Sequence, residues 1–318
     1  MQLGKKFLAT PLLMPAERFM FASMLALVMA SSAVIGYRGT AVDWLNYGFI
    51  LACAGPLLLI GVYYRAADRN PLLASTLVSA GCFLMFSPVA SAFTYQLLPV
   101  WRTPIDPWLV SIDAMLGFHW PDAMALVANI PWLSQVMYIA YMSWLPQYPL
   151  LILVLGFTGR THELHVFMLA SVISSLVTIA VWALFPSFGT SVIYELGAAV
   201  EAQVRPLVGS GYGNQLRRLA TEGPRIISPK DALGLIAAPS FHTVMAVQLA
   251  YATRSLPKVW PWALALNLLV LPSTIIHGGH HLVDVIAGVA VGVLGIYAAQ
   301  AFLRSAQGAH GVAMTAAR

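Results

Sequence analysis

The sequence is poor in charge. Only 9% of its 318 residues are Asp, Glu, Lys or Arg, 59% are hydrophobic, and the mean hydropathy is +0.77. A soluble globular domain carries about 25% charged residues. Because so few charges cannot cover a water-facing surface, the composition excludes a soluble protein and predicts a chain whose outer surface faces lipid.

Cysteine and clustered basic residues are scarce as well. Cys53 and Cys82 are the two cysteines, and both fall inside apolar runs, where thiols usually serve as packing. We therefore predict neither a disulfide nor a cysteine metal site. The basic residues are scattered between the apolar runs rather than gathered in a stripe, so the net charge of +5 does not indicate a nucleic-acid partner.

Long apolar runs are what the chain has in abundance. Eight stretches lack Asp, Glu, Lys and Arg and approach or exceed the roughly 20 residues that span a bilayer. Backbone groups in lipid must be satisfied internally, and no period-2 alternation indicates a barrel, so these runs are expected to be helices. The predicted fold is all-α, a polytopic transmembrane helical bundle of about eight spans. The runs cover 19–36, 44–64, 72–98, 131–157, 164–188, 232–253, 259–279 and 285–303.

Basic residues orient the chain through the positive-inside rule. Placing the N-terminus in the cytoplasm puts ten Lys and Arg inside and seven outside, and five of those seven lie in the long loop 189–231. We therefore expect a bacterial-type inner membrane protein with both termini cytoplasmic. The segment 101–130, in which Trp and Asp residues are interspersed, is typical of an interfacial helix or re-entrant piece on the outer side.

A histidine and an aspartate near the end of the chain have the spacing of a helical pair. His280 and Asp284 are four residues apart, so on a helix they share a face, and Gly288 lies one further turn along. Gly288 is expected to leave space beneath the pair. A carboxylate beside an imidazole fixes its tautomer and raises the basicity of the far nitrogen, which a nucleophilic or general-base histidine requires.

A second histidine follows a helix-start signal. His242 comes directly after Pro239, Ser240 and Phe241, and Pro and Ser are typical of helix N-termini. The free N–H groups and positive dipole end of a helix suit an incoming phosphate. Since His242 and His280 fall at the same membrane face in the predicted topology, the two imidazoles and the carboxylate could bind, attack and protonate a phosphate ester.

These residues carry a family resemblance. Pro-Ser-x-His ending at His242, followed by His-x-x-x-Asp-x-x-x-Gly beginning at His280, resembles the second and third motifs of the type 2 phosphatidic acid phosphatase superfamily, with Ser273 where the third motif has its serine. The resemblance implies a six-helix phosphatase-type core and no metal or other cofactor. It also implies that His280 forms a phosphohistidine, that Asp284 orients it, and that His242 protonates the departing alcohol.

The chain departs from that family's pattern in its cations. The first motif, Lys-x6-Arg-Pro, is missing: the Arg205–Pro206 pair has Ala198 in place of the lysine, and Thr274 replaces the arginine of the third motif. This loss resembles the inositolphosphotransferase branch, which includes the inositol phosphorylceramide synthases. Other groups must then hold the phosphate. Our predicted phosphate-binding set is Ser240, Arg217, Arg218, Arg225 and His281, although packing or a supporting hydrogen bond also suits His281.

The sequence thus predicts three regions. Residues 1–71 form two accessory transmembrane helices, 72–304 form the catalytic core, and 305–318 form a flexible cytoplasmic tail. The predicted function is an integral-membrane lipid phosphoryl-transfer enzyme, with a phosphorylated lipid as substrate and water or an alcohol as acceptor.

Two other interpretations stay open. Intramembrane His and Asp residues also form proton relays, so a proton-coupled transporter is an alternative. Zinc needs three or four converging ligands, which spacing alone does not exclude. The residues concerned are His242, His277, His280, His281 and Asp284.

Overall fold

The computed structural model describes residues 12–316, with side chains described as far as residue 308. Lys5, Lys6 and Arg318, three of the basic residues used to orient the chain, lie outside the described residues. The described chain is 75% helical with almost no strand, so the predicted all-α bundle is confirmed.

The helices follow one another with short connections, apart from the segments 97–130 and 185–240. In chain order they are α1 (Pro15–Arg38), α2 (Trp44–Ala66), α3 (Pro71–Gln96), α4 (Asp106–Met115), α5 (Trp120–Ala128), α6 (Pro131–Met142), α7 (Trp144–Phe157), α8 (Thr161–Leu184), α9 (Ala198–Val204), α10 (Ser210–Glu222), α11 (Phe241–Thr253), α12 (Trp260–Gly278) and α13 (Leu282–Ala316). A 3₁₀ turn covers Thr190–Val192, and the strands are β1 (Ala41–Val42) and β2 (Ile226–Ile227).

Seven segments of the described chain are long and apolar enough to cross a membrane. One of them, Pro131–Phe157, is broken into α6 and α7 at Ser143, because Pro146 has no N–H to offer the carbonyl of residue 142. The predicted span 232–253 differs from the others: only Phe241–Thr253 is helical, since the chain before Ser240 is irregular. The last helix continues through Ala316, into the segment expected to be a tail.

Burial separates central helices from peripheral ones. The apolar window of α8 is 61% buried, whereas those of α1 and α2 are 22% and 17% buried. α8 therefore lies at the centre of the bundle, in contact with α11 and α13. α1 packs at the edge against both α8 and α3, and α2 packs against α3.

Besides their packing on α3, α1 and α2 make polar contacts at both of their ends. At one end, β1 pairs in parallel with β2, and Asp43 accepts hydrogen bonds from the N–H of Asn46 and the hydroxyl of Ser228. At the other end, a buried ion pair joins Arg65 of α2 to Glu17 of α1. The pair of helices is thus held both at the site end of the bundle and at its opposite end.

Four helix ends converge at one end of the bundle. The C-terminal ends of α8 and α12 meet the N-terminal ends of α11 and α13, and backbone hydrogen bonds join the loops between them. The N–H of Thr190 donates to the carbonyl of Gly279 at 2.7 Å, and the N–H of Ser240 donates to the carbonyl of Asp284 at 3.0 Å. This convergence brings the two histidine motifs together.

Candidate active site

His280 lies in the tight connection between α12 and α13. α12 ends at Gly278, and Gly279 adopts a left-handed conformation with φ of 64°, which ends the helix and reverses the chain. The Nδ1 of His280 lies 3.0 Å from the carbonyl oxygen of Ala237. Because a carbonyl only accepts, Nδ1 carries the proton, and in the neutral ring Nε2 keeps a free lone pair.

Asp284 lies close to His280, but its shortest contact is a hydrogen bond from the backbone. Its Oδ2 accepts the N–H of His281 at 2.9 Å and lies 3.5 Å from the Nδ1 of His280. His280 and Asp284 do not share a helical face as predicted, because α13 begins at Leu282 and His280 precedes it. The carboxylate is 0% exposed, and its Oδ1 has no hydrogen-bond partner among the described residues. Asp284 therefore caps the helix and faces the Nδ1 side of His280 at the same time.

His242 faces His280 across the site. The two imidazole centroids are 6.0 Å apart, close enough for one phosphoryl group to contact both rings. Tyr141 stacks on His242 with a centroid distance of 4.6 Å, and Trp144 approaches edge-on at 5.6 Å. Both aromatic residues flank the break between α6 and α7, so the break supplies two walls around His242.

The first turn of α11 is pressed against α13. Ser240 is the N-cap of α11, where its hydroxyl accepts the N–H of Thr243, and it is 0% exposed. A Cβ on Gly288 would lie 2.5 Å from the carbonyl oxygen of Ser240 and 2.8 Å from the Cβ of Thr243. Gly288 therefore permits close contact between α11 and α13, rather than leaving open space beneath the His–Asp pair.

Two other polar side chains of α12 make hydrogen bonds within the protein. Ser273 is buried, and its hydroxyl donates to the carbonyl of Val270 in its own helix. The Nε2 of His277 lies 3.0 Å from the carbonyl oxygen of Ser134, to which it can only donate. Neither side chain is hydrogen-bonded to the other motif residues of the described chain.

The three predicted arginines lie on the surface. Arg217, Arg218 and Arg225 are exposed. Arg217 donates to the carbonyl of Val192 and to the side chain of Asn214, both at 2.6 Å. The Thr190–Val192 turn that it contacts is hydrogen-bonded to Gly279, so Arg217 lies beside a segment that borders His280.

His281 is turned away from the imidazole pair, between two acidic side chains. Its Nε2 lies 3.6 Å from Oδ1 of Asp106 and its Nδ1 lies 3.6 Å from Oδ2 of Asp113. Burial disfavours the charged imidazolium, but the carboxylates around it outweigh that effect and raise the pKa of His281 to about 9. His281 is therefore the cation of a buried acidic cluster.

Asp106 and Asp113 are the residues that sequence reasoning did not assign to the site. Both lie on α4 and are 0% and 4% exposed. Their spacing of seven residues places them two turns apart on one helical face, and this spacing indicates that the two carboxylates point the same way. The sequence does not indicate which loops they contact. No group of three or more His, Cys, Asp or Glu side chains within the described residues has the arrangement of a metal site.

A cavity of about 390 Å³ leads from His242 into the bundle. It is bordered along α3 from Phe83 to Tyr95, a length of roughly 18 Å at 1.5 Å per residue, and along α8 from Met168 to Ile179. Most of its walls are apolar, with hydroxyls such as that of Ser91 between them. A cavity of this length and lining fits a hydrocarbon chain, with the polar end of the ligand at His242.

Comparison with known proteins gives one match. The family model described as the PAP2 superfamily matches residues 107–298, more than half of the chain and all the motif residues above. No curated protein and no solved structure matches the chain.

Proposed function

Because the chain belongs to the PAP2 superfamily, whose members are phosphatases and phosphotransferases, we propose that it is an integral-membrane enzyme that transfers phosphoryl groups from lipids through a phosphohistidine on His280. The observation that carries the proposal is the pair of imidazoles 6.0 Å apart, with the Nδ1 proton of His280 held by the Ala237 carbonyl. A nucleophilic histidine needs this arrangement, because its other nitrogen is then free to attack.

The proposed reaction has two steps. The Nε2 of His280 attacks the phosphorus of the lipid phosphate ester, so an N–P bond forms while the ester P–O bond breaks. His242, protonated once the anionic phosphate lies beside it, gives that proton to the departing oxygen and becomes neutral. Water or an alcohol then attacks the phosphohistidine, the N–P bond breaks, and His242 takes the proton of the attacking oxygen. Water as acceptor makes the enzyme a phosphatase, and an alcohol makes it a transferase.

A lipid substrate is supported by the cavity. Its apolar walls begin at His242 and run along α3 and α8 into the bundle, so a hydrocarbon tail can lie inside the protein while its phosphate stays between the imidazoles. The charge-poor lining would be an unfavourable site for a water-soluble phosphate ester with a polar leaving group.

An inositolphosphotransferase-like activity is the finer form of the proposal. The chain lacks the Lys-x6-Arg-Pro motif and has Thr274 in place of an arginine, and this loss is what resembles that branch. We keep Arg217, Arg218 and Arg225 as candidates for holding the phosphate, with Arg217 first because of its contact with the turn beside Gly279. Ser240 at the start of α11 is the neutral candidate.

The proposed location of the site is the outer face of a bacterial-type inner membrane, with both termini in the cytoplasm. Arg65, Arg69, Arg160, Arg254 and Lys258 lie in or beside the connections at the end of the bundle opposite the site. Short connections with basic residues are typical of the cytoplasmic side.

The test is a panel of lipid phosphates read by mass spectrometry. Purified protein in detergent with a chelator is incubated with isoprenoid phosphates and glycerolipid phosphates, with and without inositol. We expect release of phosphate or exchange of the headgroup, and a loss of at least about 1,000-fold in His280→Ala, as for removal of a covalent nucleophile. The exposed His162 at the opposite end of the bundle is the matched control, and His162→Ala should retain activity.

Three outcomes would contradict the proposal. Turnover that the chelator abolishes and zinc restores would replace the metal-independent mechanism by a metal-dependent one. Lipid turnover that survives in His280→Ala would exclude His280 as nucleophile. Proton-coupled solute uptake into vesicles that depends on His280, without lipid turnover, would establish the transporter alternative.

A further inference from the structure

Helix α4 carries two buried carboxylates on one face. Asp106 and Asp113 are two turns apart, and both are almost completely withdrawn from solvent. Aspartate is rarely buried to this degree without partners, because desolvation of an unpaired charge is costly. The partners of these two residues therefore indicate why the charges are kept.

Asp106 holds the loop that follows α8. Its carboxylate accepts the N–H of Phe188 at 2.9 Å and the N–H of Gly189 at 2.6 Å. A Cβ on Gly189 would lie 2.3 Å from the carbonyl oxygen of Gly279, so this loop is packed directly on the residue before His280. The position of the loop 186–191 is thus set by α4.

Asp113 holds the start of α13. Its carboxylate accepts the N–H groups of Leu282 and Val283, the first two residues of that helix, at 2.9 and 3.0 Å. The N–H of His281 is taken by Asp284 at 2.9 Å. The N–H groups that a helix start leaves free are therefore used by carboxylates, and the favourable charge–dipole interaction adds to these bonds.

His281 links the two carboxylates. Its ring nitrogens lie 3.6 Å from Asp106 and 3.6 Å from Asp113, and the side chain is 1% exposed. The charged groups that face it are Asp106 and Asp113 from α4 and Asp284 from α13. A protonated His281 offsets part of this negative charge, which would otherwise repel a phosphate arriving at His280.

We infer that Asp106, Asp113 and His281 are positioning residues that fix His280 and Asp284 for attack on phosphorus. The inference rests on the proposed function, since it takes His280 as the nucleophile. The three side chains need not touch the substrate. They act through the backbone on both sides of His280, and a misplacement of about 1 Å at a reacting group can cost about 100-fold in rate.

The test uses orthovanadate, which adopts the geometry of a phosphoryl group under attack and does not require the natural lipid to be known. Full-length Asp113→Asn and His281→Gln proteins are compared with wild type for orthovanadate affinity, for turnover of the best lipid of the panel, and for melting temperature. An asparagine at 113 retains one acceptor oxygen but presents an NH₂ group to the second N–H of α13. The control is Asp122→Asn on α5, whose side chain is 83% exposed.

We expect both variants to bind orthovanadate at least tenfold more weakly, with a matching loss of kcat and an unchanged KM. Their melting temperatures should be lower than that of wild type, because each variant loses a charged partner of the buried cluster, but both should stay folded at the assay temperature. If Asp113→Asn does not fold, His281→Gln carries the test alone, because it leaves in place all the carboxylates that accept backbone N–H groups. Wild-type orthovanadate affinity in a folded variant would overturn the inference. A wild-type protein whose orthovanadate affinity equals that of His280→Ala would instead refute the proposed function.

Discussion

At the scale of single residues, the tautomer of His280 is set by a backbone carbonyl. The Ala237 oxygen lies 3.0 Å from Nδ1, whereas the nearest oxygen of Asp284 lies at 3.5 Å. In a hydrolase whose aspartate alone holds the histidine, removal of the carboxylate charge favours the wrong tautomer and the rate falls by about 10⁴. Here the carbonyl keeps the proton on Nδ1 even when that charge is absent.

We therefore predict that Asp284→Asn is much less damaging than His280→Ala. The asparagine can still accept the N–H of His281, and the Ala237 carbonyl still directs the Nε2 of His280 into the site. The expected loss of kcat is at most about 100-fold, against at least about 1,000-fold for His280→Ala. Steady-state rates on one lipid of the panel measure both values. Equal losses in the two variants would show that the carboxylate, not the carbonyl, controls the histidine.

His281 makes stability depend on pH. Its pKa in the folded protein is raised to about 9 by the carboxylates that outweigh its burial, whereas an unperturbed histidine titrates near pH 6.5. The folded state thus binds the proton more tightly, and the stabilisation is complete below about pH 6.5 and is lost as the pH rises through about 9. We expect the melting temperature in detergent to fall between pH 7 and pH 10. In His281→Gln this fall should be smaller, while in His162→Gln it should equal that of wild type.

At the scale of elements, the contact between α11 and α13 depends on the absence of a side chain at Gly288. A Cβ there would lie 2.5 Å from a backbone oxygen of Ser240, so Gly288→Ala must push the two helices apart. We expect a loss of about 1–3 kcal/mol in the free energy of unfolding, as for overpacking elsewhere, and a loss of activity because both histidines adjoin the contact. Chemical unfolding in mixed micelles measures the first effect.

The matched control for Gly288→Ala is Gly48→Ala in α2. An added Cβ at Gly48 meets no atom within 4 Å, so only helix propensity changes and stability should stay the same or rise by up to about 1 kcal/mol. If the two variants were equally stable, the close contact between α11 and α13 would not be required.

Helix α3 provides a test of the lipid cavity. Ser91 lines the cavity, so Ser91→Phe should occupy part of it and lower kcat/KM for long-chain lipid phosphates by at least about tenfold, with a smaller effect on short-chain analogues. Leu84 on the same helix is 41% exposed and does not line the cavity, and Leu84→Phe should leave both values unchanged. A chain-length series measures the difference. A uniform loss across the series would place the hydrocarbon elsewhere.

At the scale of the whole molecule, the two N-terminal helices are joined at the end of the bundle away from the site by a buried ion pair. Arg65 and Glu17 have side chains 6% and 1% exposed, and Ser75 of α3 and His165 of α8 lie within the same cluster. The ion pair joins α1 to α2, and its contacts with Ser75 and His165 connect the two helices to the core that carries the motifs.

Breaking this ion pair should destabilise the protein without changing its chemistry. Arg65→Met leaves the buried Glu17 carboxylate without its guanidinium partner, with His165 and the Met14 N–H as its remaining contacts, at an expected cost of about 3–5 kcal/mol. The double variant Glu17→Gln with Arg65→Met should recover part of that loss. Asp122→Ala, which breaks an exposed contact with His119, should change stability by less than about 0.5 kcal/mol. Melting temperatures measure the series, and kcat at low temperature should stay near wild type throughout.

Hydropathy and motif spacing predicted most of what the structure contains. Apart from 232–240, the apolar runs are helical over most of their length, because backbone groups in lipid must be hydrogen-bonded within the segment. The two histidine motifs meet as their placement at one face implied. What could not be predicted depends on contacts between distant segments. The acceptors for His280 and the N–H partners of Asp106 and Asp113 are backbone groups, and backbone groups leave no pattern in a sequence.

The short length of α11 also could not be predicted from hydropathy. The run 232–253 has the length of a span, but its first part contains Gly234 and Pro239 and forms an irregular wall of the cavity before Ser240 starts the helix. The apolar composition of a segment predicts that it is buried, whereas the turn residues within it determine where its helix begins.

The parallel pairing of Ala41–Val42 with Ile226–Ile227 has a consequence for biogenesis. The first hairpin of helices reaches the bilayer early in translation, but its partner strand and Ser228 are synthesised only after α8 and the long loop beyond it. Until then β1 and Asp43 lack these partners and are free to bind other molecules. A membrane-insertion chaperone would therefore meet α1 and α2 before β1 is paired. Protection of residues 41–43 from protease, once residues 226–228 have emerged from the ribosome, reports the final docking.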